Sequence, residues 1–503
     1  MKKICHAFGL ALAVLPCLSA WAAEGELLFD PARFELKKIS VDGREITVRA
    51  YEKILYVARP VEPDYQSMNV YVPVEYFEGK KIGGYSAETA PIFLPNSVGG
   101  YLPGKASGTE PGFGGQSAVA RALAHGYVVA APGARGRTLQ NAAGGYTGKA
   151  PAAIVDLKAA VRYLKFNDAR MPGDANRIVS NGTSAGGALS SLLGATGNQP
   201  DYEPYLRELG AAPGRDDIFA VSAYCPITNL EEADKAYEWM FLGVNEAKPM
   251  VRGSRPAPLA APAGAAPAGD RPQGAPQMQS GKMTAEQIAH SQALAALFPA
   301  YVNSLNLKDH EGRDLRLDAL GEGLFKTHLK TLIMVSAQKA LDQGRDLSAA
   351  KWLTIKDGKV MAMDWPAYVA DIGRMKLTSA FDGTTLATGE NSLFGSDKIN
   401  ARHFSDFGAA HSSVKGDRAP AGVVKMMNPM AYLGSNGVAP SWRIRHGAAD
   451  RDTSVAIPAI LAVRLMQTGA RVDFAVPWAQ GHGGDYDLDE LFAWIDGLMQ
   501  SAR

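Results

Sequence analysis

Two strand-like runs, Phe34–Val41 and Arg44–Val57, flank the dipeptide Asp42-Gly43, a pairing that predicts a β-hairpin with a tight turn. A third strand-like run covers Met68–Phe77. A short apolar strand, Ala90–Leu94, ends in the turn-rich Pro95-Asn96-Ser97-Val98-Gly99-Gly100. From there strand and helix patterns alternate. Ser117–His125 reads as a helix stopped by Gly126, and Tyr127–Ala131 as a continuous apolar strand. Ile154, Leu157, Val161 and Leu164 fall on one face of a predicted helix. Arg177–Asn181 reads as a strand and Ala185–Leu193 as a helix of small residues. Such alternation predicts an α/β fold, with a mostly parallel sheet covered by helices on both faces.

The rhythm breaks after Cys225. Residues 251–281 are rich in Pro, Ala and Gly without an apolar period, which reads as a flexible insertion. Thr284 with Gln287 forms a capping box, and the helix it starts is expected to bend or stop near Pro299. The alternation returns with a strand at Ser441–Arg445, a helix at Val455–Gln467 and a strand at Val472–Val476. Leu488, Leu491, Phe492, Ile495 and Met499 line one face of a closing helix. The expected division is therefore a signal segment at 1–23, a first catalytic part at 24–225, an inserted lid at 226–420 and a second catalytic part at 421–503. No internal repeat of fixed period breaks this division.

At 503 residues the chain suits a large domain carrying an insertion. A formal charge of +1, with no basic stripe, argues against nucleic acid or an acidic polymer as partner. Lys2 and Lys3, the apolar run Ala7–Leu18 and Ala20-Trp21-Ala22 have the make-up of a cleavable signal peptide. Export to the periplasm or the medium is the expectation, with no membrane attachment after cleavage. Cys5 and Cys17 would leave with that segment. Cys225 then remains as a single thiol, without an internal disulfide partner, and reads as a buried small hydrophobe.

Gly182-Thr183-Ser184-Ala185-Gly186 is a G-x-S-x-G pentapeptide. Among 53 glycines the pentapeptide alone carries little weight. Its setting between a strand and a helix is that of the nucleophile elbow of α/β-hydrolases, which lifts a serine hydroxyl above the strand ends. Such a serine needs a base, and the base an orienting carboxylate; in this fold the acid comes second and the histidine last. Of nine histidines, His482 in Gly481-His482-Gly483-Gly484 lies in a loop after the final strand. In His446-Gly447-Ala448-Ala449-Asp450, Asp450 leaves the preceding strand in the loop that reaches such a histidine. Asp452 is the competing acid and His446 a structural residue. Ser184, Asp450 and His482 are thus the candidate triad. The backbone N–H of Ala185, with Val98 or Gly99, is the candidate oxyanion hole. This chemistry calls for no cofactor, and no Cys/His cluster has the spacing of a zinc site.

With these motifs the chain resembles bacterial tannases (tannin acyl hydrolases) of the α/β-hydrolase superfamily. The resemblance runs from Met68-Asn69-Val70-Tyr71-Val72-Pro73 through the elbow Gly-Thr-Ser-Ala-Gly-Gly to the histidine loop, with His482 placed 32 positions after Asp450. It implies a serine esterase with a large inserted lid, acting on small galloyl esters and depsides to release gallate through an acyl-enzyme. It also implies that Lys376, in Lys-Leu-Thr-Ser-Ala-Phe-Asp, Glu390, in Gly-Glu-Asn-Ser-Leu-Phe-Gly, and Asp452 clasp the three ring hydroxyls. Carboxylates accept from phenolic hydroxyls and an ammonium donates to a phenolic oxygen, so the set suits such a ring. The Pro/Ala/Gly-rich stretch is the departure from the family pattern, and it bears on substrate size. The rival readings are a feruloyl-type or other aromatic ester hydrolase, a serine peptidase, which the absence of a propeller-like repeat disfavours, and a non-catalytic binding protein on the same fold, which would carry a broken triad.

Overall fold

The computed structural model describes residues 27–110, 117–248 and 281–501. The expected signal segment 1–23 lies outside them, as does all of the stretch 251–281 except Gly281. Nine strands form one sheet: β1 (Glu35–Val41), β2 (Arg44–Leu55), β3 (Ser67–Pro73), β4 (Pro91–Pro95), β5 (Val128–Pro132), β6 (Asp174–Thr183), β7 (Ala220–Tyr224), β8 (Ser441–Arg445) and β9 (Arg471–Ala475). Their spatial order is β1-β2-β3-β5-β4-β6-β7-β8-β9. The hairpin β1–β2 closes at Val41 opposite Arg44, and β3 pairs antiparallel with both β2 and β5. From β5 to β9 every pairing is parallel.

The parallel part follows from the apolar runs. Every residue of the parallel strands β4, β5, β7 and β8 is buried, and so is every residue of the antiparallel β3, as expected of strands covered on both faces. The covering helices of the first part are α1 (Ala118–Ala124), α2 (Ala152–Phe166) and α3 (Ala185–Ala195). α1 packs on β4 and β5, and α3 on β6 and β7. Ser117 caps α1 by accepting the N–H of Ala120.

Between β7 and β8 the described residues add no strand to this sheet. They include α4 (Leu230–Met240), α5 (Ala285–Ser304), α6 (Leu324–Asp342) and a short α7 (Gly389–Leu393). α8 (Ala456–Gln467) and α9 (Leu488–Ser501) complete the second part.

Three local expectations are corrected. The strand expected over Met68–Phe77 ends at Pro73, because Val74–Glu78 turn into a 3₁₀ helix closed by Gly79 in the left-handed region (φ 69°). The helix begun by the Thr284/Gln287 capping box does not stop at Pro299 but runs to Ser304. Phe298, Pro299 and Val302 are buried, and the Phe298 ring centroid lies 4.9 Å from that of Trp239, so tertiary burial outweighs the lost backbone hydrogen bond. The stretch 226–420, for which no strand is expected from the sequence pattern, also holds an antiparallel hairpin, Leu353–Lys356 with Lys359–Met363, turned by Asp357-Gly358.

A fully buried ion pair ties α2 to the loop before β7. Lys158 Nζ lies 2.7 Å from Asp216 Oδ1, with neither side chain exposed, and Arg162 also contacts Asp216 at 2.8 Å. Lys158 further donates to the carbonyl of Thr196 at the end of α3 (2.6 Å). Removing the carboxylate strands an ammonium in the interior. Asp216→Ala is expected to destabilise the fold by about 3–5 kcal/mol, read as a lower urea midpoint; an unchanged midpoint would contradict this role for the pair.

Candidate active site

The site lies at the carboxyl ends of β4, β6, β8 and β9, where ligands of open parallel sheets are received. β6 delivers Ser184 through the tight turn into α3. Ser184 has φ 60° and ψ −122°, an uncommon conformation for a residue with a side chain, and its N–H donates to the carbonyl of Tyr224 (2.9 Å). Gly182 permits the turn, since a Cβ there would stand 2.3 Å from the carbonyl oxygen of Gly186. Ser184 precedes the first helical residue Ala185, so the free N–H groups of α3 begin beside its hydroxyl.

β8 ends in the turn His446–Asp450. A Cβ on Gly447 would meet the carbonyl oxygen of Gln480 at 2.2 Å, so glycine lets this turn dock against the histidine loop. The N–H of Ala449 donates to Gln480 (2.8 Å) and that of Ala448 to Pro477 (3.0 Å). Tyr368 clamps the turn from the insertion by donating to the carbonyl of Ala448 (2.8 Å). Within this frame the structure brings Ser184, His482 and Asp450 into one hydrogen-bonded chain. His482 Nε2 is 2.8 Å from Ser184 Oγ, and its Nδ1 is 2.9 Å from Asp450 Oδ2.

Asp450 is 1% exposed. Its other oxygen accepts the N–H groups of Asp452 (2.9 Å) and Thr453 (3.3 Å). Burial works against its charge, but the nearby His482 and His446, with the side-chain contacts of His482 and Cys225, hold its carboxyl well below the usual carboxylate range. Burial likewise works against a His482 imidazolium, yet Asp450 and Asp452 outweigh it, so His482 stands well above its ordinary value. Asp452 does not take the Nδ1 position; its Oδ1 lies 3.8 Å from His482 Nε2.

Asp452 is paired instead with Lys376, at 3.0 Å, and Lys376 Nζ sits 4.1 Å from the centroid of the Phe381 ring. Burial would lower the Lys376 ammonium, but Asp452 and Glu390 raise it. Glu390, on the first turn of α7, is pushed up by burial and opposed by Lys376 and Arg137. The three residues expected to hold a ring thus share one electrostatic field beside His482.

Their backbone is fixed by contacts that the pattern along the chain did not signal. Tyr237 on α4 accepts the N–H groups of Met375 and Lys376 (both 3.1 Å) and donates to the carbonyl of Arg451 in the acid turn (2.9 Å). Asp234, one turn earlier, accepts the N–H groups of Phe381 (2.9 Å) and Asp382 (2.7 Å), and burial lifts its carboxyl to about 7. Asp382 in turn accepts from the backbone of Phe404 and Ser405 and from Asn391 beside Glu390, and it contacts His403 Nδ1 at 2.7 Å.

Of the expected oxyanion donors, Ala185 opens α3. Val98 directs its N–H toward Asn96 Oδ1 at a long 3.4 Å, while Gly99 is exposed. The Asn96 amide donates to the carbonyls of Asn181 and Gly186, both at 3.1 Å, and so fastens this loop to the elbow. Cys225 is buried as a free thiol. His446 is buried beside it, with neither ring nitrogen hydrogen-bonded. With Asp450 these two form a group of ligating atoms that linear spacing could not reveal, since Cys225 ends one strand and His446 and Asp450 follow another.

Residues 98–253 match the family model described as BD-FAE. Esterase LipC of Mycobacterium tuberculosis is 43% identical over 58 residues, a match spanning 12% of this chain and 14% of that protein. The chain is similar over much more of its length to the crystal structure of a tannase from Fusobacterium nucleatum, with 51% identity, a TM-score of 0.86, and coverage of 94% of this chain and 99% of that one. It is also similar to a tannin acyl hydrolase in complex with ethyl gallate, at 45% identity and a TM-score of 0.87, with the same coverage.

The charges around His482 have a consequence for pH. If His482 is the general base it must be neutral to act, so the Asp450 and Asp452 charges that raise it would place the acid limb of activity above the usual histidine value of about 6.5. Asp452→Asn removes one group that raises it and leaves Lys376 unpaired nearby. The acid limb of kcat/KM for p-nitrophenyl acetate, an ester without ring hydroxyls, is expected to move to lower pH in this variant. An unmoved or higher limb would contradict the assignment.

Proposed function

The chain belongs to the tannases, with an α/β-hydrolase fold, and is a carboxylic ester hydrolase; from that premise we propose that it hydrolyses galloyl ester and depside bonds and releases gallate through an acyl-enzyme on Ser184. The observation that carries the proposal is the Lys376–Asp452 pair set directly beside the Ser184–His482–Asp450 chain. In this reading His482 takes the Ser184 proton as Oγ attacks the ester carbonyl. Asp450 holds the imidazole tautomer and its orientation. The N–H groups of Ala185 and Gly99 receive the developing oxyanion. The intermediate collapses as His482 passes the proton to the leaving alcohol, and water then repeats the sequence to free the acid.

The ring hydroxyls are recognised by exchange of partners. Asp452 and Glu390 accept from phenolic hydroxyls, and Lys376 donates to a phenolic oxygen. A ring without these hydroxyls would separate the charges without replacing their hydrogen bonds. The ethyl gallate bound by the related hydrolase is chemistry of this class. The insertion 226–420, which carries Lys376 and Glu390, acts as the lid over this site. The N-terminal make-up of residues 1–23 supports export by a signal peptide.

The test compares methyl gallate, methyl ferulate and methyl benzoate. Wild type is expected to favour gallate, and Ser184→Ala to lose roughly 10⁶-fold in kcat. Glu390→Gln and Lys376→Met are each expected to lower kcat/KM on methyl gallate by about 10- to 100-fold while sparing methyl benzoate. Equal cleavage of ferulate or benzoate by wild type, with no effect of either substitution, would favour the feruloyl-type reading.

A further inference from the structure

Behind the His482–Asp450 pair lie two groups that ester hydrolysis does not use. Cys225 follows β7 with no exposed surface; its Sγ lies 3.5 Å from the carbonyl of Gly483 and 3.9 Å from that of Gly481, and it also faces His482 and Asp450. His446 follows β8 and is 1% exposed, yet both its ring nitrogens lack a hydrogen-bond partner. Its Nδ1 is 3.7 Å from Asp450 Oδ2. The Cys225 sulfur, one His446 nitrogen and one Asp450 oxygen all fall within 4.8 Å of one another. A buried imidazole with nothing on either nitrogen is costly, so something that can ligate it is expected there.

We propose that Cys225, His446 and Asp450 form an inhibitory site for a thiophilic divalent cation such as Zn²⁺ or Cd²⁺. Thiolate, imidazole and carboxylate together are the donor set such cations prefer. On binding, the cation gains bonds to Sγ, a His446 ring nitrogen and an Asp450 oxygen, and the Cys225 thiol releases one proton to solvent. No electron changes hands. Thiolate and carboxylate together balance the two positive charges, and a neutral imidazole completes the donor set.

The inhibition follows from a shared atom. Asp450 Oδ2 both holds His482 Nδ1 and faces His446. A cation on that carboxylate competes with His482, so the imidazole loses the partner that orients it. Ligands shorter than the present separations require the three side chains to draw together, which moves Asp450 away from His482. The consequence for activity rests on Ser184, His482 and Asp450 acting as the proposed triad; the binding itself does not.

Cadmium is the probe, added to metal-stripped full-length protein. Two signals are followed together: the ultraviolet thiolate-to-cadmium charge-transfer band and hydrolysis of p-nitrophenyl acetate. Wild type is expected to gain a saturable band worth one thiolate at Cys225, to lose activity in parallel, and to recover both signals with EDTA. Cys225→Ala, which keeps Cys5 and Cys17, is expected to lose that equivalent and to need at least about 10-fold more cadmium for half-inhibition. His446→Gln is expected to weaken the band and the inhibition in the same way, and it supplies the test if Cys225→Ala does not fold. The proposal is overturned if wild type develops no Cys225-dependent band, in which case the His446 nitrogens belong to buried water. It is equally overturned if both variants are inhibited at the wild-type concentration. A band without loss of activity overturns the inhibitory role, and a band on an inactive wild-type protein places the failure in the esterase reading instead.

Discussion

The buried carboxylate of Asp450 is the group on which the rest of the site depends. One of its oxygens holds His482 Nδ1 and the other is occupied by the N–H groups of Asp452 and Thr453. A charge in the interior is tolerated only when its lone pairs are filled in this way. Filling them forces the chain after β8 into a turn whose next side chain, at Asp452, reaches Lys376. The turn that orients His482 therefore also carries one arm of the proposed ring clasp. Tyr237 and Tyr368 reach this turn from the insertion, so the insertion and the sheet meet at Asp450.

This coupling explains how two distant parts of the chain can serve one reaction. The parallel sheet brings the ends of β4, β6, β8 and β9 to one edge, and the strained conformation of Ser184 raises its hydroxyl among them. The insertion adds the polar groups that no strand end supplies. Its hub is Asp382, whose carboxylate gathers Asn391, His403, Phe404 and Ser405. Through Asn391 the hub is tied to the residue next to Glu390.

The parallel strands were legible where burial on both faces leaves a continuous apolar run, as at Val128–Ala131, whereas Ser441–Arg445 buries two arginines among its apolar residues. The elbow was legible because a tight strand-to-helix turn demands glycine at fixed offsets from Ser184. Where tertiary contacts decide, the local pattern misled. Pro299 reads as a helix end, yet burial of Phe298 and Val302 carries the helix past it. The hairpin around Asp357-Gly358 went unread because its strands are short and largely exposed. Lys376 and Glu390 were reachable only through family resemblance, since an isolated Lys or Glu in a loop has no local signature. The Cys225–His446–Asp450 group exists only where two strand ends meet, so no spacing along the chain announces it.

Partitioning of the acyl group between water and an added alcohol tests the proposed covalent route most directly. Ethyl gallate, propyl gallate and a galloyl sugar would each be turned over in dilute methanol, and the ratio of methyl gallate to free gallate measured. If every substrate passes through the same galloyl ester on Ser184, that ratio is identical for all three leaving groups. A ratio that changes with the leaving group would contradict a common acyl-enzyme and, with it, the role of Ser184 as the nucleophile.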